Sequence, residues 1–227
     1  MTSREFRESL LRRANRANIA LPPSILGPLE TYYRLLSRWN ERINLTALPL
    51  DPLSDEATDR LFLEPAAAAR FAPATPGRWF DLGSGGGSPA IPLKLIRPEF
   101  KLTMVESKAR KAAFLREAVR TLELEGAGVE NSRVADLARL RDHRHAGGLV
   151  TVRAVRADQP LFRAAADLLM AGGRLLLFTS DEHQPAPLPR KFELEQSARL
   201  GVGAPSYLAV LRRKTSRVPR GTNPLTP

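Results

Sequence analysis

The run Asp81-Leu82-Gly83-Ser84-Gly85-Gly86-Gly87 carries the most chemical content in this chain: an acid followed by glycines at alternate positions. It lies between an apolar segment that reads as a strand, Arg78–Leu82, and one that reads as a helix, residues 91–96. Glycine has no Cβ, so a bend of this kind accepts positive φ and lets backbone approach a nucleotide-like ligand. Downstream, Leu102-Thr103-Met104-Val105-Glu106 reads as a second strand ending in a carboxylate, placed to accept both ribose hydroxyls of an adenosine. Together they point to a nucleoside cofactor on an open α/β sheet.

Two classes of cofactor compete for the bend. As a dinucleotide fingerprint, Gly83-x-Gly85-x-x-Ser88 has serine where the third glycine belongs. As Asp-x-Gly-x-Gly-x-Gly the match is complete through Gly87, the form typical of methyltransferases that bind S-adenosylmethionine. A dehydrogenase also needs a substrate domain and usually a proton-transferring group. Little chain follows Phe178, and the histidines are His143, His145 and His183. The methyl donor is the better fit.

These residues must be positioned by an alternating architecture. Strands at 78–82, 101–105, 128–131, 149–153 and 173–178 alternate with helices at 91–96, 108–122 and 161–170. Such alternation implies a parallel sheet with right-handed crossovers. Residues 192–195 and 207–212 are expected to close it as an antiparallel pair at one edge. Ahead of the sheet, spacing predicts helices over 3–18 and 24–40, the second with Ile25, Leu29, Tyr32, Tyr33, Leu36 and Trp39 on one face. Arg34, Arg38 and Arg42 share another face and read as a solvated stripe. A turn over 51–55, an alanine-rich helix over 60–71 and a linker over 73–77 complete this part. The organisation is an N-terminal helical extension (1–72), a cofactor-binding domain (73–213) and a basic, disordered tail (214–227).

The 227 residues are 43% hydrophobic and 26% charged, ordinary for a soluble globular chain able to bury a full core. The net charge of +11 is not ordinary and suits a polyanionic partner, nucleic acid before a membrane surface. With no cysteine, disulfides, thiolate metal sites and a cysteine nucleophile are excluded, and no metal is expected. No uncharged apolar run approaches the roughly 20 residues needed to span a bilayer. The first twenty residues carry Glu5 and Glu8 and have no apolar secretory core. A cytoplasmic monomer is expected.

Longer motifs carry a family resemblance. Trp39-Asn40-Glu41-Arg42-Ile43-Asn44-Leu45-Thr46 resembles the Trp-Asn-x-x-x-Asn-Leu-Thr signature of the bacterial 16S rRNA guanine-N7 methyltransferases (RsmG, also GidB). Ser88-Pro89-Ala90-Ile91-Pro92-Leu93 is similar to that family's Phe-Pro-Gly-Ile-Pro-Leu. Val105-Glu106-Ser107-Lys108-x-Arg110-Lys111-x-x-Phe114-Leu115 and Arg153-Ala154-Val155 follow in the same order and spacing. The resemblance spans residues 25–178 and implies a Rossmann-like class I methyltransferase sheet. It also implies S-adenosyl-L-methionine as cofactor and 16S rRNA or the small ribosomal subunit as partner.

Site residues carry over by position. The resemblance places Gly83 and Ser88 against the cofactor and has Glu106 hold the ribose, and Asp81, Gly85 and Gly87 of the loop are expected to bind the cofactor with them. Val134 and Ala135 match the segment whose backbone meets the adenine. Arg153 matches the position that serves both cofactor and substrate, and is the candidate catalytic residue. Two elements depart from the family pattern. Its upstream His-x-x-Asp-Ser is replaced by Leu61-Phe62-Leu63-Glu64-Pro65, which keeps only an acid, and Thr179-Ser180 stands where a lysine is frequent. Lys108, Arg110, Lys111, Arg116 and Arg120 on one helix, and Arg212, Arg213, Lys214, Arg217 and Arg220 near the end, are candidates for an RNA surface. A methyltransferase with another nucleic-acid target, and a non-catalytic RNA-binding relative, remain alternatives at this level.

Overall fold

Strand alternation decides how this sheet is clothed. In the computed structural model, which describes residues 1–155, 157–179, 188–200, 203 and 205–215, the strands are β1 (Arg78–Leu82), β2 (Lys101–Val105), β3 (Ala127–Glu130), β4 (Gly147–Arg153), β5 (Leu169–Thr179), β6 (Phe192–Arg199) and β7 (Tyr207–Arg213). They form one sheet in the order β3-β2-β1-β4-β5-β7-β6. The first five are parallel; β7 runs antiparallel to β5, and β6 antiparallel to β7. The expected closing pair is therefore present, with β7 inserted between β5 and the edge.

Successive side chains on a strand point to opposite faces, and the two faces feed two cores. Phe80, Leu82, Val150, Val152, Leu175 and Leu177 pack under α8 (Gln159–Leu168). Trp79, Leu102, Met104, Leu149, Leu176 and Phe178 face the other way, toward α5 (Ala90–Ile96) and α6 (Ala109–Thr121). The N-terminal helices α1 (Ser3–Arg16) and α2 (Pro23–Asn40) belong to this second core, with Phe6, Leu10, Tyr32 and Leu36 buried in it. Phe6 stacks on Tyr33 at 5.2 Å and meets Phe62 edge-on at 5.7 Å. Arg13 ties α1 down through Asp59 and Asp55, and Trp39 Nε1 ties α2 to α6 by donating to Glu117 at 3.0 Å.

Several elements differ from expectation; β4 starts two residues earlier, at Gly147, α8 lies two residues earlier, and β6 runs four residues further, to Arg199. The third helix starts earlier, as α3 (Asp55–Thr58) capped by Ser54, which accepts from Ala57 N at 3.0 Å. It then passes through a π turn (Asp59–Leu63), α4 (Glu64–Ala68) and a 3-10 turn. β5 begins at Leu169 rather than 173, because Leu169 pairs with Gly147 while its carbonyl accepts from Arg213 Nη1 at 2.8 Å. A short α7 (Val134–Leu137) is new; four residues are too few to show helical periodicity. The expected tail beyond residue 215 lies outside the described residues.

Candidate active site

In an open parallel sheet, ligands bind beyond the carboxyl ends of the strands where the strand order reverses. Here that point lies between β1 and β4: the chain steps outward from β1 to β2 and β3, then returns to place β4 on the other side. The glycine bend leaves β1 there. Gly83 N and Ser84 N donate to Val105 O at 2.9 and 3.1 Å, hooking the bend to the end of β2. Gly83 takes φ 75°, and a Cβ there would lie 2.6 Å from Val155 Cγ2. Gly87 takes φ 89° and is equally closed, since a Cβ would sit 2.5 Å from Ile91 Cδ1. Both conformations disfavour a side chain, and a Cβ at either position would force the Val155 or Ile91 side chain to shift.

Glu106 follows β2 directly and is 7% exposed. Its Oε2 accepts from Gly85 N at 3.0 Å and its Oε1 from Lys108 N at 2.7 Å, so one carboxylate fixes the bend and the start of α6. Asn131 Nδ2 donates to the Glu106 carbonyl at 2.8 Å and holds this junction against the end of β3.

Beneath the bend lies a buried polar chain on the face covered by the N-terminal helices. Trp79 Nε1 donates to Thr151 Oγ1 at 2.8 Å, and Thr151 Oγ1 donates to Asp81 Oδ1 at 2.5 Å. Asp81 and Thr151 are register partners on adjacent strands and are 1% and 0% exposed. Burial pushes the Asp81 carboxyl up to about 6, against the opposing pull of Thr151 and Arg153.

Arg153 ends β4 on the same face. Its guanidinium lies over the Phe178 ring at 4.2 Å, Nη1 donates to Arg60 O, and Nη2 is 2.9 Å from Glu64 Oε2. The Glu64 contact is an ion pair without hydrogen-bond alignment, so Nε and Nη2 are buried donors with no aligned acceptor among the described residues. Burial lowers this guanidinium to about 10, opposed by Glu64, which leaves it charged at neutral pH. Pro65 explains why backbone oxygen is free here. Having no N–H, it cannot serve Leu61 O in α spacing or Arg60 O in π spacing. Those two carbonyls accept instead from Ser88 Oγ (Leu61 O, 3.1 Å) and Arg153 Nη1.

The N-terminal signature builds the opposite wall. Asn40 Oδ1 accepts from Leu45 N and Thr46 N, both at 2.9 Å, folding residues 44–48 over the bend. Tyr32 Oη donates to Gly86 O at 2.6 Å from the same side. The result is a cavity of about 1070 Å3 between this loop, the bend and the end of β4.

Gly83, Gly85, Ser88, Glu106 and Arg153 all line the cavity. Asp81 lies buried below it, and Gly87 faces Ile91 and Tyr32 rather than the opening. Val134, half-buried, and Ala135, exposed, sit on α7 beyond β3 and are not in the wall. Lys108 and Lys111 are at its edge. Sequence reasoning did not single out Tyr32, Thr151 or Phe178 for the site; their contacts depend on sheet register and carry no local signal. Glu64 had one, the acid retained upstream of the bend.

The strand order and the position of the bend define the class, a Rossmann-like class I methyltransferase fold. A putative methyltransferase from Escherichia coli has a similar solved structure, with a TM-score of 0.53 over 68% of this chain and 87% of its own, at 15% identity. Sequence narrows the class. Residues 26–202 match the family described as rRNA small subunit methyltransferase G, and the chain belongs to that family. The ribosomal RNA small subunit methyltransferase G of Xanthomonas oryzae is 33% identical over 201 residues, 86% of this chain and 90% of the relative. Its counterpart in Rubrobacter xylanophilus is 34% identical over 223 residues, 96% of this chain and 78% of the relative.

Proposed function

We propose that the chain, a cytoplasmic monomer, methylates N7 of a guanine in 16S rRNA, as free rRNA or within the small subunit, using S-adenosylmethionine. The observation that carries the reading is the convergence of the glycine bend, Glu106 and Arg153 on one cavity at the strand-order reversal, in a chain of this family. The residues fit such a cofactor. A side-chain-free bend and a carboxylate face each other across the end of β1 and β2, and buried Arg153 donors lie nearby without aligned acceptors. The volume is just above the roughly 300–1,000 Å3 usual for small-molecule sites, which leaves room for a base beside a nucleoside.

In this reading Gly83, Gly85 and Ser88 border the methionine part, and Asp81 and Gly87 keep the bend in shape. Glu106 accepts the ribose hydroxyls, and the adenine extends past Glu106, out of the cavity, toward the backbone of Val134 and Ala135 on α7. Bound S-adenosylmethionine supplies a methyl group on a cationic sulfur, which the N7 lone pair of guanine takes without giving up a proton. The chain therefore needs no general base. Its contribution is to hold the base in line and exclude water, which Arg153, Glu64 and the 44–48 loop are placed to do.

Lys108 and Lys111 at the cavity edge, with Arg110, Arg116 and Arg120 on α6, have no ion-pair partner among the described residues and suit RNA phosphates. Arg34 and Arg38 do not join them, being paired with Glu30 and Glu117, nor does Arg212, paired with Glu193. The test is to map N7-methylguanine across rRNA from cells with and without the gene. One position in 16S rRNA should lose its methyl group; identical maps would refute the proposal.

A further inference from the structure

The guanine-N7 reading leaves open which side chain selects guanine, and the inference here rests on that reading. Guanine's Watson–Crick edge offers two adjacent donors, N1–H and N2–H, while N7 lies on a different edge. A carboxylate, with two acceptor oxygens and no donor, matches that pair and leaves N7 free. Among the described residues the cavity wall holds two carboxylates, Glu64 and Glu106. Glu106 lies on the bend side, where each oxygen accepts a backbone N–H and its remaining lone pair is assigned to the ribose. Glu64 stands across the cavity on α4, 5% exposed in its side chain, with Oε2 against Arg153 and Oε1 in no hydrogen bond among the described residues.

We infer that Glu64 is the specificity-determining residue: its carboxylate accepts N1–H and N2–H of the target guanine while Arg153 holds the carboxylate in place. Adenine would bring the N1 lone pair against an oxygen lone pair and be repelled. A hydrogen-bonding site rejects a mismatched edge far better than an apolar pocket rejects a wrong shape. The carboxylate also serves the reaction. As N7 forms its bond to the methyl carbon, the carbon–sulfur bond breaks with its electron pair left on sulfur. Positive charge passes to the base and no proton moves. Glu64 then faces donors that become more acidic as charge arrives, and fixed negative charge opposite developing positive charge stabilises the transition state.

The test uses small subunits reconstituted with rRNA that carries either guanine or inosine, which lacks only the 2-amino group, at the methylated position. The full chain should prefer guanine by about tenfold or more in kcat/KM, the effect of one hydrogen bond to a charged group. Glu64→Gln should methylate guanine about a hundredfold more slowly and bring the guanine-to-inosine ratio within about twofold of unity, because an amide offers one acceptor and one clashing donor. Glu64→Asp, which keeps the charge, should retain the preference at a reduced rate. The ratio is internal to each variant, so it does not depend on the fraction folded. Because Glu64 pairs with Arg153 beside the cofactor, the S-adenosylmethionine affinity of each variant is measured by calorimetry and the ratio is taken at saturating cofactor, so that a change in cofactor binding does not enter it. An unchanged ratio in Glu64→Gln, or a ratio abolished in Glu64→Asp, overturns this inference alone. Failure of the parent protein to methylate guanine overturns the proposed function with it.

Discussion

Replacing Asp81 with asparagine should change the pH dependence of stability in a defined direction. The carboxyl is 1% exposed and sits between β2 and β4 in the middle of the sheet. Burial raises it from an ordinary 3.8 to about 6, net of the Thr151 hydrogen bond and the attraction of Arg153. Well below the ordinary value of 3.8 the group is neutral in folded and unfolded chains alike. As pH rises to about 6 the unfolded chain ionises first, so the protein loses stability across this window and the loss is constant above it. A lift of this size corresponds to about 3 kcal/mol. Asparagine keeps the acceptor for Thr151 Oγ1 and does not titrate. Its extra N–H adds a cost of about 1–3 kcal/mol that is the same at every pH. The informative quantity is therefore the change with pH, measured by urea unfolding of both proteins near pH 4.5 and pH 7.5. Relative to the parent, Asp81→Asn should gain about 2 kcal/mol between those conditions. A difference that does not vary with pH, or that moves against the variant as pH rises, would show that the buried carboxylate is stabilised in place and refute the reasoning.

Phe6→Ala should cost about 3–5 kcal/mol, since the ring is fully buried between Tyr33 and Phe62. A loss below about 1 kcal/mol in denaturant melts would mean that α1 is not part of the main core. Gly83→Ala should abolish detectable cofactor binding, because it combines positive φ with a 2.6 Å collision. Gly85→Ala, whose Cβ would come no nearer than 3.7 Å to its surroundings, should lose only the roughly 1 kcal/mol of left-handed backbone strain. Equal effects in calorimetry would contradict the placement of Val155 over the bend. Substituting Lys108 and Lys111 with alanine should lower the salt dependence of RNA binding by about two phosphate contacts. An unchanged slope in filter binding across a salt series would remove the α6 edge from the RNA footprint.

How much of this was legible beforehand follows from the range of each interaction. β1 and β2 have the bounds that short apolar runs imply, and the bend between strand and helix is a local pattern of glycines. Where tertiary contacts set the boundary, the sequence was silent. β5 starts early because Leu169 answers Gly147 and Arg213, and the π turn at Asp59–Leu63 is one residue of extra winding that hydrophobic spacing does not register. Pro65 was its visible trace, readable only once Ser88 and Arg153 are seen to use the carbonyls it leaves free. The site shows the same division. Glu106 and Gly83 announce themselves by position, whereas Glu64 and Arg153 meet only because α4 is folded over the end of β4. Asp81 begins the glycine motif but lies under the sheet surface, so its sequence prominence reflects a buried hydrogen-bond chain rather than a place in the cavity wall. Trp39 and Asn40, read as part of a signature, hold α6 and the 44–48 loop.

The most direct test of the account is calorimetric titration of the folded protein and its Glu106→Gln variant with S-adenosylmethionine and with its demethylated product. The parent chain should take up about one equivalent of either, and the variant should bind at least about tenfold more weakly, having exchanged a charged acceptor for an amide. No uptake by the parent chain, or equal affinity in the variant, would contradict the claim that the bend after β1 and the carboxylate after β2 together hold the methyl donor.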